Sequence, residues 1–246
     1  MIEYAALANC YDALTTDVNY EAWADYLEKR FRRSRHKIHT VLDLACGTGT
    51  LSLILAERGY EMIGVDCSPE MLSQASEKVA QCVEKPIFLC QSMEKLDLYG
   101  TVDACICMLD SVNHVTNPKK LKRAFERVHL FLEPGGIFIF DCLTERHFEE
   151  INHGLFIGET DTAYCVWRSE LQKKLCTYEM DIFQKDGTAW QRGHDSVLEY
   201  AYSLETLTEF LEQAGFCNIH KYGNLKLTKS PTAEEERVFF SAEKGK

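Results

Sequence analysis

Two glycines and a following aspartate are the residues whose spacing first indicates chemistry. Gly47 and Gly49 follow an apolar run at 41–44, and Asp66 ends the next apolar run at 62–65. Glycine lets a turn bring its backbone close to a ligand, and a carboxylate at the end of the next strand can accept hydrogen bonds from both hydroxyls of a ribose. The pattern therefore predicts a site for a nucleotide-type ligand.

A strand, a turn and a helix must position these residues. We predict a buried strand over 41–44 and a helix over 51–57, whose first N–H groups would point at the ligand. A similar turn opens nicotinamide sites and ordinary strand-to-helix connections, so both stay as alternatives. A nicotinamide site favours a third small residue at the position of Ser52 and does not need Asp43 inside the first strand.

The segments 43–49 and 64–72, Asp-Leu-Ala-Cys-Gly-Thr-Gly and Gly-Val-Asp-Cys-Ser-Pro-Glu-Met-Leu, resemble the first two motifs of class I S-adenosylmethionine-dependent methyltransferases, in particular small-molecule members such as the sugar-amine and glycine N-methyltransferases. The resemblance implies an α/β fold with a doubly wound, seven-stranded, mostly parallel, Rossmann-like sheet and an antiparallel β insertion. It implies methyl transfer from S-adenosyl-L-methionine to a nitrogen or oxygen nucleophile of a small molecule by in-line displacement, with S-adenosyl-L-homocysteine as product and no metal. The rival interpretations are a nicotinamide-dependent oxidoreductase and a non-catalytic adenosylmethionine-binding module.

The resemblance also implies which residues contact the cofactor. Aromatic side chains from the N-terminal helices would line the sulfonium pocket, although helical aromatics more often belong to a core. Ser92 stands where the family often has an acid that meets the adenine amino group, and a hydroxyl can still accept one N–H. The implied cofactor-binding residues are Tyr11, Tyr20, Trp23, Asp43, Ala45, Gly47, Gly49, Asp66, Cys67, Met71, Ser92, Met93, Leu109 and Asp110.

A polar loop at 109–114 follows the predicted fourth strand, 102–108. In open α/β sheets, ligands bind beyond the carboxyl ends of the strands near the topological switch point, which is where this loop should lie. The loop resembles that of sugar-amine N-methyltransferases, in which a histidine at the position of His114 faces the substrate. We therefore predict His114 as the catalytic base, because an imidazole pKa near 6.5 suits that role. In the alternative interpretation, Asp110 or Ser111 only caps the backbone of a turn.

The chain is predicted to form a single methyltransferase domain. Helices over 1–36 would cover the cofactor mouth, and 37–150 would form the cofactor-binding core, with a Pro-Gly-Gly turn at 134–136 before a fifth strand at 137–140. Alternating residues after 161 predict an antiparallel insertion within 151–202, acting as a lid or a dimer surface. A helix and a hairpin would complete the sheet over 203–246.

The formal net charge of −11 disfavours binding to phosphate backbones and anionic membranes. The basic run at 29–35 lies at a predicted helix end, where cations complement the helix dipole. We therefore expect a small-molecule acceptor, no nucleic-acid or membrane partner, and a monomer or homodimer.

The cysteine pattern bears on the cellular compartment. The eleven cysteines include no Cys-x-x-Cys pair, and no signal peptide or long apolar span is present, so we expect a cytoplasmic protein with reduced thiols. His36 and His39 could form half of a metal site. Because no further ligand lies nearby in the sequence, we expect a solvated pair instead.

Overall fold

The computed structural model describes residues 7–8, 10–15, 18–79 and 85–246. In chain order the strands in these ranges are β1 (Thr40–Leu44), β2 (Glu61–Asp66), β3 (Ile87–Cys90), β4 (Val102–Cys107), β5 (Leu132–Leu143), β6 (Leu155–Glu159), β7 (Ala163–Gln172), β8 (Leu175–Asp186), β9 (Ala189–Tyr200), β10 (Phe216–Gly223) and β11 (Arg237–Lys244). The helices are α1 (Tyr11–Leu14), α2 (Tyr20–Phe31), α3 (Thr50–Glu57), α4 (Pro69–Val79), α5 (Pro118–Phe131), α6 (Glu145–Glu150) and α7 (Leu204–Ala214), with a 3₁₀ turn at Met93–Lys95.

The main sheet has seven strands within the described ranges, in the order β10-β11-β5-β4-β1-β2-β3. Strands β1 to β5 are parallel to one another, whereas β11 runs antiparallel to both β5 and β10. The chain adds β2 and β3 on one side of β1, and then β4 and β5 on the other. The predicted seven-stranded, mostly parallel sheet is confirmed, and its switch point lies between β1 and β4.

Helix α5 shows how sequence spacing builds the core. Its buried residues recur every three or four positions along one face, and Phe125 among them packs its ring 5.5 Å from Phe138 and 5.2 Å from Phe140 of β5. Asn117 caps the helix by accepting from the Lys119 N–H, and Pro118 occupies the first turn. Two features at the helix start and one apolar stripe thus fix how α5 lies on the sheet.

The antiparallel insertion forms a second sheet. Four strands of the described chain, in the order β6-β7-β8-β9, pair antiparallel over Leu155–Tyr200. This sheet begins with β6, earlier than the alternation that was visible from residue 161, and lies inside the predicted segment 151–202. Strand β9 ends at Tyr200, the residue after Glu199, and helix α7 then leads to β10 of the main sheet.

Two predicted local features differ in the structure. Strand β5 begins at Leu132, so the predicted turn at 134–136 lies inside it, where Gly135 has φ of 85° and the pairing with β4 shifts register. Before α2, within the predicted helices over 1–36, the structure gives α1, and residues 1–6, 9 and 16–17 lie outside the described residues.

His36 and His39 bind two different carboxylates. The Nε2 atom of His36 lies 2.6 Å from Asp103 Oδ1, and that of His39 lies 3.2 Å from Glu61 Oε1. The described cysteines are all free thiols. Among the helices in the described ranges, none has the length and apolar character needed to cross a membrane.

Candidate active site

A cavity of about 930 Å³ opens at the carboxyl ends of β1, β2 and β4. Its wall includes most of the residues predicted from the sequence: Tyr11, Tyr20, Asp43, Ala45, Gly47, Asp66, Cys67, Met71, Ser92, Met93, Leu109 and His114. We call the part around Asp43, the loop 45–49 and Asp66 the glycine end, and the part around His114 the histidine end. The cavity is large enough for a nucleoside-sized ligand together with a second small molecule.

The loop of the glycine end is held onto the neighbouring strand by its backbone. The N–H groups of Ala45 and Cys46 donate to the Val65 carbonyl at 2.7 and 3.1 Å. Ala45, Gly47 and Gly49 all have positive φ, at 62°, 54° and 73°. Left-handed backbone costs a residue with a Cβ roughly 1–2 kcal/mol, which explains the glycines and makes Ala45 a strained position at the cavity wall.

The two glycines have different roles. A Cβ built at Gly47 meets no described atom within 4 Å, and Gly47 lines the cavity, so its open space faces a ligand. A Cβ at Gly49 would lie 2.7 Å from Phe88 Cζ and 3.1 Å from Ala75 Cβ, and Gly49 does not line the cavity. Packing against β3 and α4 and the positive φ both favour glycine at position 49.

Asp66 closes the glycine end through two backbone contacts. The Gly47 N–H donates to Oδ2 and the Ser68 N–H donates to Oδ1, each at 2.9 Å. Burial raises the pKa of this carboxyl, and the two N–H donors oppose that rise. An ionised carboxylate offers about four lone-pair sites, so Asp66 can accept further hydroxyl donors from a ligand.

Asp43 lies beneath the loop, buried to 3 % exposure. The Ser52 hydroxyl donates to its Oδ2 at 2.5 Å. Burial raises the pKa of Asp43 to about 7, although the Ser52 hydrogen bond acts in the opposite direction. Ser52 occupies a position where a nicotinamide site favours a different small residue. Here its hydroxyl holds the Asp43 carboxyl in place.

Asp12 connects helix α1 to the glycine end of the cavity. The Thr48 hydroxyl donates to Asp12 Oδ1 at 2.6 Å, and Lys78 of α4 forms an ion pair with the same carboxylate. These contacts hold the neighbouring Tyr11 at the cavity wall, where burial raises the pKa of its phenol. Tyr20, at the start of α2, lines the cavity as well.

Trp23 lies in the core and not at the cavity. It is 8 % exposed, its ring centroid lies 5.2 Å from that of Phe239, and the Arg237 guanidinium lies 5.5 Å from its ring centroid. The structure therefore does not bring Trp23 to the other predicted cofactor residues. Its place in helix α2 positions the helix against β11.

Asp110 also lies outside the cavity wall, in a buried charged cluster. Its Oδ1 lies 2.7 Å from Arg237 Nη1, its N–H donates to Asp141 Oδ2 at 3.0 Å, and Arg237 pairs with Asp141 as well. Leu109 and Asp110 have positive φ, 58° and 53°, which turns the chain after β4. Asp110 is thus a structural part of the histidine end.

Asp141 is fully buried at the end of β5. Burial raises its pKa to about 6, opposed by Arg237. Its Oδ1 has no hydrogen-bond partner among the described residues. The ion pair with Arg237 therefore compensates this carboxylate only in part.

His114 lies where these elements meet the cavity. Its Nε2 atom is 3.2 Å from Glu199 Oε1 and 3.9 Å from Asp110 Oδ2, and its side chain is 21 % exposed. Burial lowers the pKa of His114, and the charge of Asp110 opposes that change. A neutral imidazole at the wall of a ligand cavity can accept a proton.

Sequence reasoning missed Glu199, Arg237, Asp141 and Tyr178. Glu199 is 5 % exposed, and its Oε2 accepts a hydrogen bond from the Tyr178 hydroxyl at 3.3 Å. One oxygen each of Asp110 and Glu199 and one ring nitrogen of His114 lie within 4.8 Å of one another. The sequence offered one signal for Glu199, an acidic residue at a position where the alternation of strand β9 predicts burial.

Comparisons with known proteins agree with this geometry. Residues 41–136 match a family model described as a methyltransferase domain. The chain is 31% identical over 248 residues to the putative methyltransferase YqeM of Bacillus subtilis, covering 99% of this chain and 98% of the relative. It is 25% identical over 196 residues to a glycine/sarcosine N-methyltransferase of Halorhodospira halochloris, covering 76% of this chain and 69% of that protein.

A solved structure supports the same relationship. The crystal structure of an S-adenosylmethionine-dependent methyltransferase from Clostridium acetobutylicum superposes with a TM-score of 0.89 at 29% identity, covering 99% of both chains. The sequence motifs, the sheet order and these similarities agree along almost the whole chain. The chain belongs to the class I S-adenosylmethionine-dependent methyltransferases.

Proposed function

We propose that this methyltransferase acts on a nitrogen or oxygen nucleophile of a small molecule, with His114 as the group that takes the proton. The observation that carries the proposal is that His114 and Asp66 line the same cavity from opposite sides of β1. One end then has the groups that suit a nucleoside, and the other has a side chain that suits proton transfer.

The residues of the glycine end fit S-adenosylmethionine. Asp66 would accept from the ribose hydroxyls, and the open space at Gly47 would admit the ligand beside the backbone. Ser92 and Met93 would meet the adenine, while Tyr11 and Tyr20 would border the sulfonium. An aromatic face near a cation gains about 0.5 to 2 kcal/mol, which suits tyrosines at that position.

The bound cofactor would supply an electrophilic methyl group, so that a bond from the nucleophile to carbon forms as the carbon–sulfur bond breaks and its electron pair stays on sulfur. His114 would accept the proton of the nucleophile. Positioning of the two reactants can supply up to roughly 7 to 11 kcal/mol of the barrier reduction, so the base is one contribution among several.

Of the two acceptor classes, we favour a nitrogen nucleophile. The similarity to a glycine/sarcosine N-methyltransferase supports this choice. No such similarity supports the alternative of a nicotinamide-dependent oxidoreductase.

Calorimetry with S-adenosylmethionine, S-adenosylhomocysteine and NAD tests the cofactor, and we expect binding of the first two only. The acceptor can then be sought with methyl-labelled S-adenosylmethionine and fractionated small molecules, amines first. The His114→Ala variant serves as the inactive comparison, and His220→Ala, on the exposed part of β10, as the matched control. Tighter binding of NAD would overturn the proposal, and cofactor binding without transfer to any small molecule would favour the non-catalytic module.

A further inference from the structure

Glu199 is a buried acid contributed by the inserted sheet. It lies near the end of β9, on the face of that strand that also buries Asp195 and Val197, and it is opposite Cys176 of β8 in register. A carboxyl group with 5 % exposure is unusual without partners. A role in the active site would account for a carboxyl group in this position.

Both oxygens of Glu199 are engaged. Oε1 lies 3.2 Å from His114 Nε2, and Oε2 accepts from the Tyr178 hydroxyl at 3.3 Å. The tyrosine is on the neighbouring strand β8, so the carboxyl group is held from behind by the inserted sheet and directed at the imidazole. This contact joins the inserted sheet to the loop after β4.

The backbone on either side fixes the same pairing. Asn113, the residue before His114, is fully buried, and its side-chain amide donates to the carbonyl of Tyr200, the residue after Glu199, at 3.0 Å. The Tyr200 N–H donates to the Asn113 carbonyl at 2.8 Å. Asn113 also binds Leu143 of β5 with both its amide nitrogen and its oxygen, at 3.1 and 3.0 Å. His114 and Glu199 thus face each other because their neighbours are bound together.

The charged groups around this pair come from several elements. Asp110 lies 3.9 Å from the imidazole nitrogen, Arg237 of β11 pairs with Asp110, and Tyr178 of β8 contacts Glu199. Burial lowers the pKa of His114, whereas burial and the nearby Asp110 raise the pKa of Glu199. A carboxylate close to an imidazole favours its charged form and so opposes the effect of burial.

We propose that Glu199 is a positioning residue for His114: it holds the imidazole through Nε2, so that the ring keeps one orientation at the cavity wall when it takes a proton from the acceptor. The inference rests on the proposed function, in which His114 takes that proton. The inserted sheet is then part of the active site through this one side chain, in addition to any role as a lid.

Histidine-selective ¹⁵N NMR tests the inference without an acceptor, with the His114 signals assigned by their loss in His114→Asn. Glu199→Gln keeps the size and the hydrogen-bonding oxygen but removes the charge. We expect it to lower the titration midpoint of His114 by about one pH unit or more. Ser196→Ala, which removes a hydroxyl bound to Glu179 on the outer face of the same strand, should leave the midpoint unchanged. An unchanged midpoint in a folded Glu199→Gln protein overturns the proposal.

The wild-type protein decides the question if Glu199→Gln does not fold. Two coupled groups share their titration steps, so the His114 nitrogens and the Glu199 carboxyl carbon should shift with common midpoints. Independent midpoints would overturn the proposal. Because these titrations need no cofactor, they are separate from the proposed function, which would fail if S-adenosylmethionine did not bind or if His114→Ala kept full turnover.

Discussion

The glycine end and the histidine end of the cavity are stabilised by different kinds of contact. At the glycine end, the loop 45–49 is held by backbone hydrogen bonds to Val65 and Asp66, within two consecutive β-α units. At the histidine end, charged side chains from the loop after β4, from β5, from β9 and from β11 meet in one cluster.

The difference shows how one fold can keep its cofactor and change its substrate. The contacts at the glycine end depend on main-chain N–H groups, on glycines with positive φ and on the Asp66 carboxylate, so substitutions at those few positions disturb the loop. Those at the histidine end depend on side chains that distant segments contribute, so substitutions there change the groups beside the acceptor and not the cofactor loop. Variants that affect one end only are the way to test this separation.

The largest effect is expected from His114→Ala. Turnover should fall by about 10²- to 10⁴-fold, the usual range for a lost general base, while the affinity for S-adenosylmethionine stays as in the wild type. Transfer rates and calorimetry on the same preparation, beside His220→Ala, measure both quantities. Normal turnover with a lowered melting temperature would instead make His114 a structural residue and leave a mechanism that depends on positioning alone.

Asp66→Ala should act on the other end. Loss of two hydrogen bonds to a charged acceptor, each worth about 1.5 to 3 kcal/mol and partly replaced by water, should weaken S-adenosylmethionine binding by roughly tenfold to several hundredfold. The affinity of Asp66→Asn, which keeps one accepting oxygen, should lie between that of the wild type and that of Asp66→Ala. Calorimetry that finds wild-type affinity in a folded Asp66→Ala protein would rule out the ribose contact.

The two glycines should separate binding from folding within a single loop. Gly49→Ala should lower stability by about 1 to 3 kcal/mol, because its Cβ meets Phe88 and its φ is positive. Gly47→Ala should cost only the backbone strain of about 1 to 2 kcal/mol and reduce cofactor affinity more than Gly49→Ala does. Chemical denaturation and calorimetry on both variants check this, and the reverse order would contradict the placement of the cavity.

The smallest expected effect concerns Asp43 and pH. Because burial raises its pKa to about 7, the folded protein binds a proton that the unfolded chain releases near 3.9, so folding stability falls as the pH rises between these values. Asp43→Asn, which can still accept from Ser52, removes this dependence. Its melting temperature relative to wild type should therefore rise between pH 4 and pH 7, and a constant difference would show that Asp43 is ionised throughout.

Much of the fold could be predicted from the sequence because its signals are local. Strand β1, helix α3 and strand β2 follow from short apolar runs and from glycines in a fixed order, and Ser68 caps α4 by accepting from the Met71 N–H. Strand β6 was missed, since its five residues offered too short an alternation between a loop and β7.

The candidate site could be predicted only in part. The residues of the glycine end are specified by adjacent motifs, whereas Glu199 and Arg237 reach His114 and Asp110 through pairings between distant strands. Trp23 and Gly49 were implied as cofactor residues by the family resemblance, which carries no information on their packing beside Phe239 and Phe88. Both residues contribute to packing, and the order of residues in the chain does not distinguish a packing position from a ligand contact.

Arg237 has a consequence for the order in which the protein is made. Ribosomes synthesise the chain from its N-terminus, so the segment 41–66 that forms the glycine end emerges well before Arg237. Until residue 237 has been added, Asp110 and Asp141 lack the guanidinium that pairs with both of them in the folded protein. A nascent chain can therefore complete its cofactor loop early, but the charged cluster beside His114 can be completed only when the last strand of the sheet has been translated.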